Sequence, residues 1–276
     1  MTSQEPILDT HIVAPTAPAP ETCRFSVGGV LSRTMRVWWT HVIVFTGMSL
    51  VASAPMVAFL VVPWLAFERS AADRPPRNLL TVGAAMFLAW VLTVILQVIQ
   101  AGAVTYGTVR HLHGERARVG EMLGVGLRRG LPVVATGFLV WLGILVGMFF
   151  LVVPGVAFAV AASLSLPAAV VERPGVTGAI SRSFALTRGQ RWPLFAAFLV
   201  LLAVVWGLSA AVQLGASALT SALLRPGGAF TAAILVTQLG NALVAVIPFV
   251  AVAVAYHDLR VTKEGADTAE LARVFE

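Results

Sequence analysis

The segment at residues 171–193 holds the side chains of this chain that are best suited to binding an anion. It carries four arginines and one carboxylate, Glu172, between two strongly apolar stretches. A guanidinium group binds a phosphate or a carboxylate through two parallel hydrogen bonds. In one interpretation Glu172 forms an ion pair that fixes the segment, and its candidate partners are Arg173, Arg182 and Arg188. In the other, the arginines bind an anionic lipid headgroup or a phosphorylated ligand.

Two histidine-containing motifs have residue types found in metal sites. The run HLHGE spaces His111, His113 and Glu115 as metal ligands can be spaced, but no further ligand stands beside it in the sequence. We therefore interpret it as a polar turn. The pair HD ends in Asp258, which we expect to pair with an arginine at the membrane surface.

No motif in the chain predicts catalysis. The run GVGLRRG at 124–130 is similar to a phosphate-binding loop, but its spacing is wrong and it follows no strand. The sequence has no nucleophile elbow, zinc-protease helix or kinase signature. It therefore predicts no catalytic residue, no cofactor and no metal site, and a protein that is not an enzyme.

The composition is that of a membrane protein. Of 276 residues, 58% are hydrophobic and only 12% are charged, against about 25% charged in ordinary soluble domains. A helix needs about 20 apolar residues to cross a bilayer. Six windows contain no Asp, Glu, Lys or Arg, and they predict an all-α bundle of six transmembrane helices: 42–67, 79–109, 131–153, 156–171, 194–224 and 229–256.

The positive charges predict how these spans are threaded. Cytoplasmic loops retain Lys and Arg, and with six spans fifteen of these residues fall on one side and four on the other. Both termini are therefore expected in the cytoplasm of a bacterial cell, with the chain in its inner membrane. Because 156–171 is short, a re-entrant loop competes with a full span there. The charge bias favours a tight external turn at Pro154 and Gly155.

Three amphipathic segments, which we call the elbows, precede the first, third and fifth spans. In each one apolar residues recur on one helical face, as in a helix that lies in the membrane interface with arginines at the headgroups. Ser26 is expected to cap the first elbow helix, and Gly189 to end the third. The candidate lipid-contacting or structural residues of the elbows are Arg33, Arg36, Arg128, Arg129, Glu172, Arg173, Arg182, Arg188, Arg191 and Trp192.

The segments outside the spans carry little further information. Residues 1–23 include a Pro/Ala tract that predicts a disordered cytoplasmic tail. The membrane domain is expected over 24–260, followed by a second cytoplasmic tail at 261–276. No cleaved signal peptide is predicted, because no apolar run of suitable length precedes Arg24. Cys23 is the single cysteine and is interpreted as a bystander thiol.

Five amides lie within the predicted spans. Gln97 and Gln100 share one helical face, and Gln238 and Asn241 share another, while Gln213 stands alone. Hydrogen bonding between helices explains such residues, and a polar pathway through the bundle is the alternative. Small residues also form stripes on spans three and five, which we expect to allow close packing within the bundle rather than dimerisation.

Several runs together resemble a known family. They are VPG at 153–155, LPAAVVE at 166–172, GVTGAISRSFALTRGQRW at 175–192 and AYHDLR at 255–260. Over about residues 25–263 the chain resembles the uncharacterised six-helix bacterial membrane family named for the membrane region of glycerophosphoryl diester phosphodiesterases. The resemblance implies a six-span helical protein of the inner membrane. It implies no phosphodiesterase activity, because the chain has no room for the soluble catalytic barrel after Tyr256.

Two functions are weighed. The first is a non-enzymatic scaffold, membrane organiser or accessory subunit, whose elbows contact anionic lipid and present a surface to membrane or cytoplasmic partners. The second is passive passage of a neutral or amphiphilic solute. An ion-coupled transporter is disfavoured because the six windows hold no ionisable residue. No nucleic-acid partner is expected, and homo-oligomerisation is left open.

Overall fold

The structure, a computed structural model, describes residues 26–69, 79–115, 117–172, 174–223 and 226–274. This part of the chain is entirely helical, as the sequence predicts. Its eleven helices are α1 (Val27–Thr40), α2 (Val42–Arg69), α3 (Leu79–Leu112), α4 (Val119–Arg128), α5 (Gly130–Phe150), α6 (Val152–Ala162), α7 (Ser165–Val171), α8 (Gly175–Thr187), α9 (Arg191–Leu223), α10 (Pro226–Val244) and α11 (Ile247–Val274).

Six stretches of these helices are long and apolar enough to cross a membrane. They are Val42–Val61, Leu80–Leu112, Gly130–Phe150, Val152–Val171, Arg191–Ala222 and Ala232–Gly265. The chain is therefore a multi-pass membrane protein. The last helix continues past the predicted end of the membrane domain to Val274, where the sequence predicted a tail.

The packed core and the lipid-facing surface lie on different parts of the helices. The main core gathers residues from the elbow helices α1, α4 and α8 and from α11, whose Tyr256 and Leu259 are fully buried. The three hairpins instead present large apolar side chains outward, such as Leu80, Phe149 and Trp206. Such side chains are stable outside when lipid is the solvent, because hydrocarbon solvates them as well as a protein core does.

The elbow helices pack in a repeating pattern. α4 packs against α3, and α8 packs against α7, so each of these two contacts the span that precedes it. α1 has no preceding span and packs against α11, the end of the last one. Two elbow helices thus pack on the span before them, and the third packs on the last helix.

The apolar faces of two elbow helices contact protein where the sequence favoured lipid. On α1 the buried residues are Val30, Thr34 and Val37, and Ser26 caps the helix as predicted by accepting a hydrogen bond from the Gly29 N–H at 3.1 Å. On α8 they are Ala179, Ser183, Leu186 and Thr187. A periodic apolar face looks the same in sequence whether it meets acyl chains or another helix.

The reversal between the third and fourth spans lies at Leu151, not at Pro154 and Gly155. Leu151 has an extended backbone, with φ −164° and ψ 145°. Pro154 instead occupies the first turn of α6, where its missing N–H costs nothing. Gly155 serves a different purpose, since a Cβ there would lie 2.7 Å from the Met148 backbone nitrogen. It lets α5 and α6 approach closely.

The two small-residue stripes have different surroundings. On α5, a Cβ at Gly143 or Gly147 would collide with α6, at Phe158 and Gly155 respectively. The packing expected there is therefore present. On α9, a Cβ at Gly207 or Gly215 would meet nothing within 4 Å, and this stripe faces outward. The expectation of close packing within the bundle is wrong for that span.

The fourth span is broken between α6 and α7, and α8 bonds to the break. Ser183 Oγ donates to the Ala161 carbonyl at 2.7 Å and accepts from the Leu164 N–H at 3.1 Å. Thr187 Oγ1 adds a contact to the same Ala161 carbonyl at 3.3 Å. Pro167, three residues beyond Leu164, lacks the N–H that would continue the helix through the break.

The last span is broken in a similar place. α10 ends at Val244 and α11 begins at Ile247, with Pro248 following directly. Here the elbow helix α1 supplies the polar group, because Trp38 Nε1 donates to the Leu243 carbonyl at 2.9 Å. Irregular backbone at membrane depth is tolerated where protein groups satisfy it.

Candidate functional sites

Glu172 lies at the corner between α7 and α8 and has both carboxylate oxygens occupied. Arg182 Nε donates to Oε2 at 2.7 Å, and the Tyr256 hydroxyl donates to Oε1 at 2.6 Å. Of the three predicted partners, the structure brings Arg182 to Glu172. Arg188 has an exposed side chain, and Arg173 lies outside the described residues.

Arg182 joins this corner to the last helix. Its Nη2 donates to Glu264, whose other oxygen accepts from Arg260 Nε at 2.7 Å. Hydrogen bonding to Glu172 is the largest influence that raises the pKa of the Arg182 guanidinium above its ordinary value. The guanidinium is committed to two carboxylates, so it is a structural group rather than a free headgroup ligand.

Lys263 closes the end of α8. Its Nζ donates to the carbonyls of Ala185 at 2.6 Å and Arg188 at 2.8 Å, in the last turn of that helix. Helix ends leave carbonyls without partners, and a lysine is suited to them by charge and by its three donors. Sequence reasoning missed Lys263 and Glu264 because it treated them as a tail. The spacing of Arg260 and Glu264, four residues apart, was the available signal of a continuing helix.

Arg33 also has a carboxylate partner. Its Nη1 lies 2.5 Å from Asp258 Oδ1, and the Asp258 side chain is 9% exposed. This contact joins α1 to α11 and supplies the arginine partner that the sequence predicted for Asp258. Arg36, three residues further along α1, is exposed.

The side chains of His111, His113 and Glu115 in the HLHGE run each contact a different residue. His41 Nε2 and His111 Nδ1 are 3.1 Å apart, and the rings of His113 and His257 meet edge to face at 5.2 Å. Glu115 pairs with Arg110 at 2.6 Å. Within the described ranges, no group of three His, Cys, Asp or Glu side chains is placed to hold a metal.

Arg128 and Arg129 line a cavity of about 500 Å³ between α4, α5, α7 and α8. Gly175, at the first turn of α8, also lines it. Neither α5 nor α8 has a side-chain cap at its N-terminus, and uncapped N–H groups favour an anion. We call this space the arginine cavity.

Arg191 and Trp192 close a second space, a groove of about 400 Å³ between α6 and α9. Its remaining lining is apolar and includes Val153, Val156 and Phe195. The Arg191 guanidinium lies over the Phe184 ring at 5.8 Å, and the Trp192 side chain is exposed. One cation beside an apolar wall suits an amphiphile.

Four of the five predicted intramembrane amides meet in one place. Gln97 and Gln100 of α3 and Gln238 and Asn241 of α10 line a cavity of about 200 Å³. Ser49 and Ser53 of α2 complete its polar lining. We call it the amide pocket. Gln213, the fifth amide, is exposed on α9 and does not line it.

Gln100 is the least satisfied group of the amide pocket. The residue is 4% exposed, and its Nε2 has no hydrogen-bond partner within the described part of the chain. An unpaired buried donor costs about 1–3 kcal/mol. The sequence predicted which amides share a helical face, but it could not show that the faces of α3 and α10 are turned to the same space.

Comparisons with protein-family models, curated proteins and solved structures give no match. The family resemblance therefore stays a prediction, while the six candidate spans that it implies are present.

Proposed function

We propose that this chain is a non-enzymatic protein of the bacterial inner membrane that binds anionic lipid through its elbows. It acts as a scaffold, membrane organiser or accessory subunit. The observation that carries the proposal is the arginine cavity, in which Arg128 and Arg129 lie beside the uncapped starts of α5 and α8. A guanidinium group beside helix N–H groups that have no side-chain cap is chemistry that binds phosphate.

Two other elbow arginines have a structural role in this proposal. Arg33 and Arg182 already neutralise carboxylates, so they support the elbows instead of binding lipid. Arg191 supports the proposal in a different way, because it stands at the end of an apolar groove. An anionic headgroup at Arg191 would let its acyl chain lie along the wall formed by Val153 and Val156.

Lipid preference of the purified protein tests this function. Native mass spectrometry would compare retention of phosphatidylglycerol with retention of phosphatidylcholine. The double variant Arg128→Gln/Arg129→Gln is expected to lower the preference for the anionic lipid about thirtyfold, since each surface arginine contributes roughly 1 kcal/mol and a factor of ten is about 1.4 kcal/mol. Arg36→Gln is the matched control and should retain the preference. An unchanged preference in the double variant would contradict the proposal.

The amide pocket supports a second candidate, passive passage of a neutral solute. Its lining comes from three candidate spans and reaches the break between α10 and α11 at Ala245. Broken helices beside polar cavities are a feature of transport proteins. Light-scattering measurements on proteoliposomes would compare the entry of glycerol and urea with that in protein-free vesicles. Equal rates would remove this candidate.

A further inference from the structure

We propose that the amide pocket is a binding site for a small uncharged solute that both donates and accepts hydrogen bonds. Primary amides, urea and short polyols belong to this class. The proposal rests on the same pocket as the second candidate function, passive passage. It concerns binding alone, so it also applies to a solute that binds in the pocket and does not cross the membrane.

The lining supplies donors and acceptors from two opposed helices. Each of the four amides offers a carbonyl oxygen and an NH₂ group, with Gln97 and Gln100 on α3 and Gln238 and Asn241 on α10. Ser49 adds a hydroxyl from α2. A solute with only donors or only acceptors would leave the matching groups of the lining unpaired. The pocket therefore suits a ligand that has both donors and acceptors.

Gln100 fixes one requirement on the ligand. Its Nε2 is a buried donor that has no acceptor among the described residues, and the residue lines the pocket. An acceptor atom on a guest molecule would satisfy this donor. A metal cation offers no acceptor and would leave this donor unpaired.

The absence of counter-charge fixes a second requirement. The residues that line the pocket include no Asp, Glu, Lys, Arg or His. A buried ion is stable only when it is paired or coordinated, and charged groups at membrane depth are costly. An anion would satisfy Gln100, but its charge would have no partner, so the acceptor is expected on a neutral molecule.

The volume sets the size of the ligand. About 200 Å³ corresponds to the space of roughly six or seven water molecules, at about 30 Å³ each. Urea, acetamide and glycerol fit such a space. It is smaller than the sites that enclose drug-sized ligands, which begin at about 300 Å³.

Two isosteric probe pairs test the inference directly. The full chain, labelled with ¹⁵N at its glutamine side chains and held in lipid nanodiscs, would be titrated with urea and guanidinium, and with acetamide and acetate. Within each pair the shape is nearly constant and the charge changes. We expect saturable shifts of the Gln97, Gln100 and Gln238 NH₂ signals with the neutral member, at least about tenfold tighter than with the ion. The Gln213 signal is the internal control and should not move.

Two substitutions complete the test. Gln100→Leu is expected to abolish saturable binding of urea, and Gln213→Leu to leave it unchanged. If Gln100→Leu does not fold, Gln238→Leu serves in its place. The inference is overturned if no probe saturates, if guanidinium or acetate binds as tightly as its neutral partner, or if Gln213 shifts with the others. Saturable binding without solute entry into proteoliposomes would remove the passage candidate alone.

Discussion

At the scale of single residues, the polar groups of this protein mostly hold helices together. Glu172 was recognisable in the sequence because it is the only carboxylate among the arginines of its elbow. Which arginine it meets depends on the direction in which α8 leaves the corner, and that direction is not written in local sequence. Tyr256, the second partner of Glu172, lies 84 positions away.

The pair of Glu172 and Arg182 is expected to contribute measurably to stability. Arg182→Gln removes a hydrogen-bonded charge partner from a carboxylate that is 19% exposed, and we expect a loss of about 1–3 kcal/mol in the free energy of unfolding. Unfolding in detergent micelles by titration with SDS measures it. Arg188→Gln removes the same charge from an exposed position of the same elbow and should cost much less. Equal losses would contradict the structural role of Arg182.

His41 is expected to make stability depend on pH. Burial, and next the neighbouring His111, lower the pKa of His41 below its ordinary value of 6.5. The unfolded chain therefore takes up a proton at a higher pH than the folded one. Stability from the neutral His41 is complete above pH 6.5 and falls as the pH is lowered toward the folded-state pKa.

Thermal unfolding between pH 7.5 and pH 5.5 checks this sign. The wild-type midpoint should fall with pH, and His41→Asn should flatten the curve. In His111→Ala an NMR titration should place the pKa of His41 closer to 6.5. A wild-type His41 that titrates above 6.5 would disprove the expectation.

At the scale of elements, α8 is a brace for the broken fourth span. The sequence predicted an amphipathic helix here, and its buried residues Ala179, Ser183 and Thr187 share one face. The sequence assigned that face to lipid. The break between α6 and α7, with its backbone groups that need partners, is apparent only in the packed structure. Ser183 contributes hydrogen bonds across the break, and its intrinsic helix propensity is low.

Ser183→Ala is expected to weaken this brace. It would leave the Leu164 N–H and the Ala161 carbonyl without their Ser183 contacts, at a cost of about 1–3 kcal/mol. The matched control is Ser181→Ala, which removes a hydroxyl from the exposed side of the same helix. Hydrogen exchange at residues 161–165 should rise in the first variant and not in the second. No difference between them would refute the brace.

At the scale of the whole molecule, six charge-free windows were sufficient to predict the number of spans. The lengths and breaks of the helices were not predictable from those windows, since a charged residue such as Asp258 ends a charge-free window without ending a helix. The packing of α1 on α11 was not predictable either, because it joins two segments that are far apart in the sequence.

The arginines of the elbows predict the orientation of the protein in the membrane. Lys and Arg are retained on the cytoplasmic side, so α8 should face the cytoplasm and the turn at Leu151 the exterior. With Cys23 changed to Ser, single cysteines at Ser181 and at Val153 would be treated with an impermeant maleimide in sealed right-side-out vesicles. We expect labelling of the Val153→Cys variant only, and the opposite in inverted vesicles. External labelling of Ser181→Cys would overturn the orientation.

The packing of α1 against α11 has a consequence for folding during synthesis. Among the described helices α1 is synthesised first, and α11, which packs against it, is synthesised last. Because α2 and α9 also contact α1, its apolar face is partly covered before α11 is made and fully covered only afterwards. A chain that stops before α11 is therefore expected to leave part of this face uncovered.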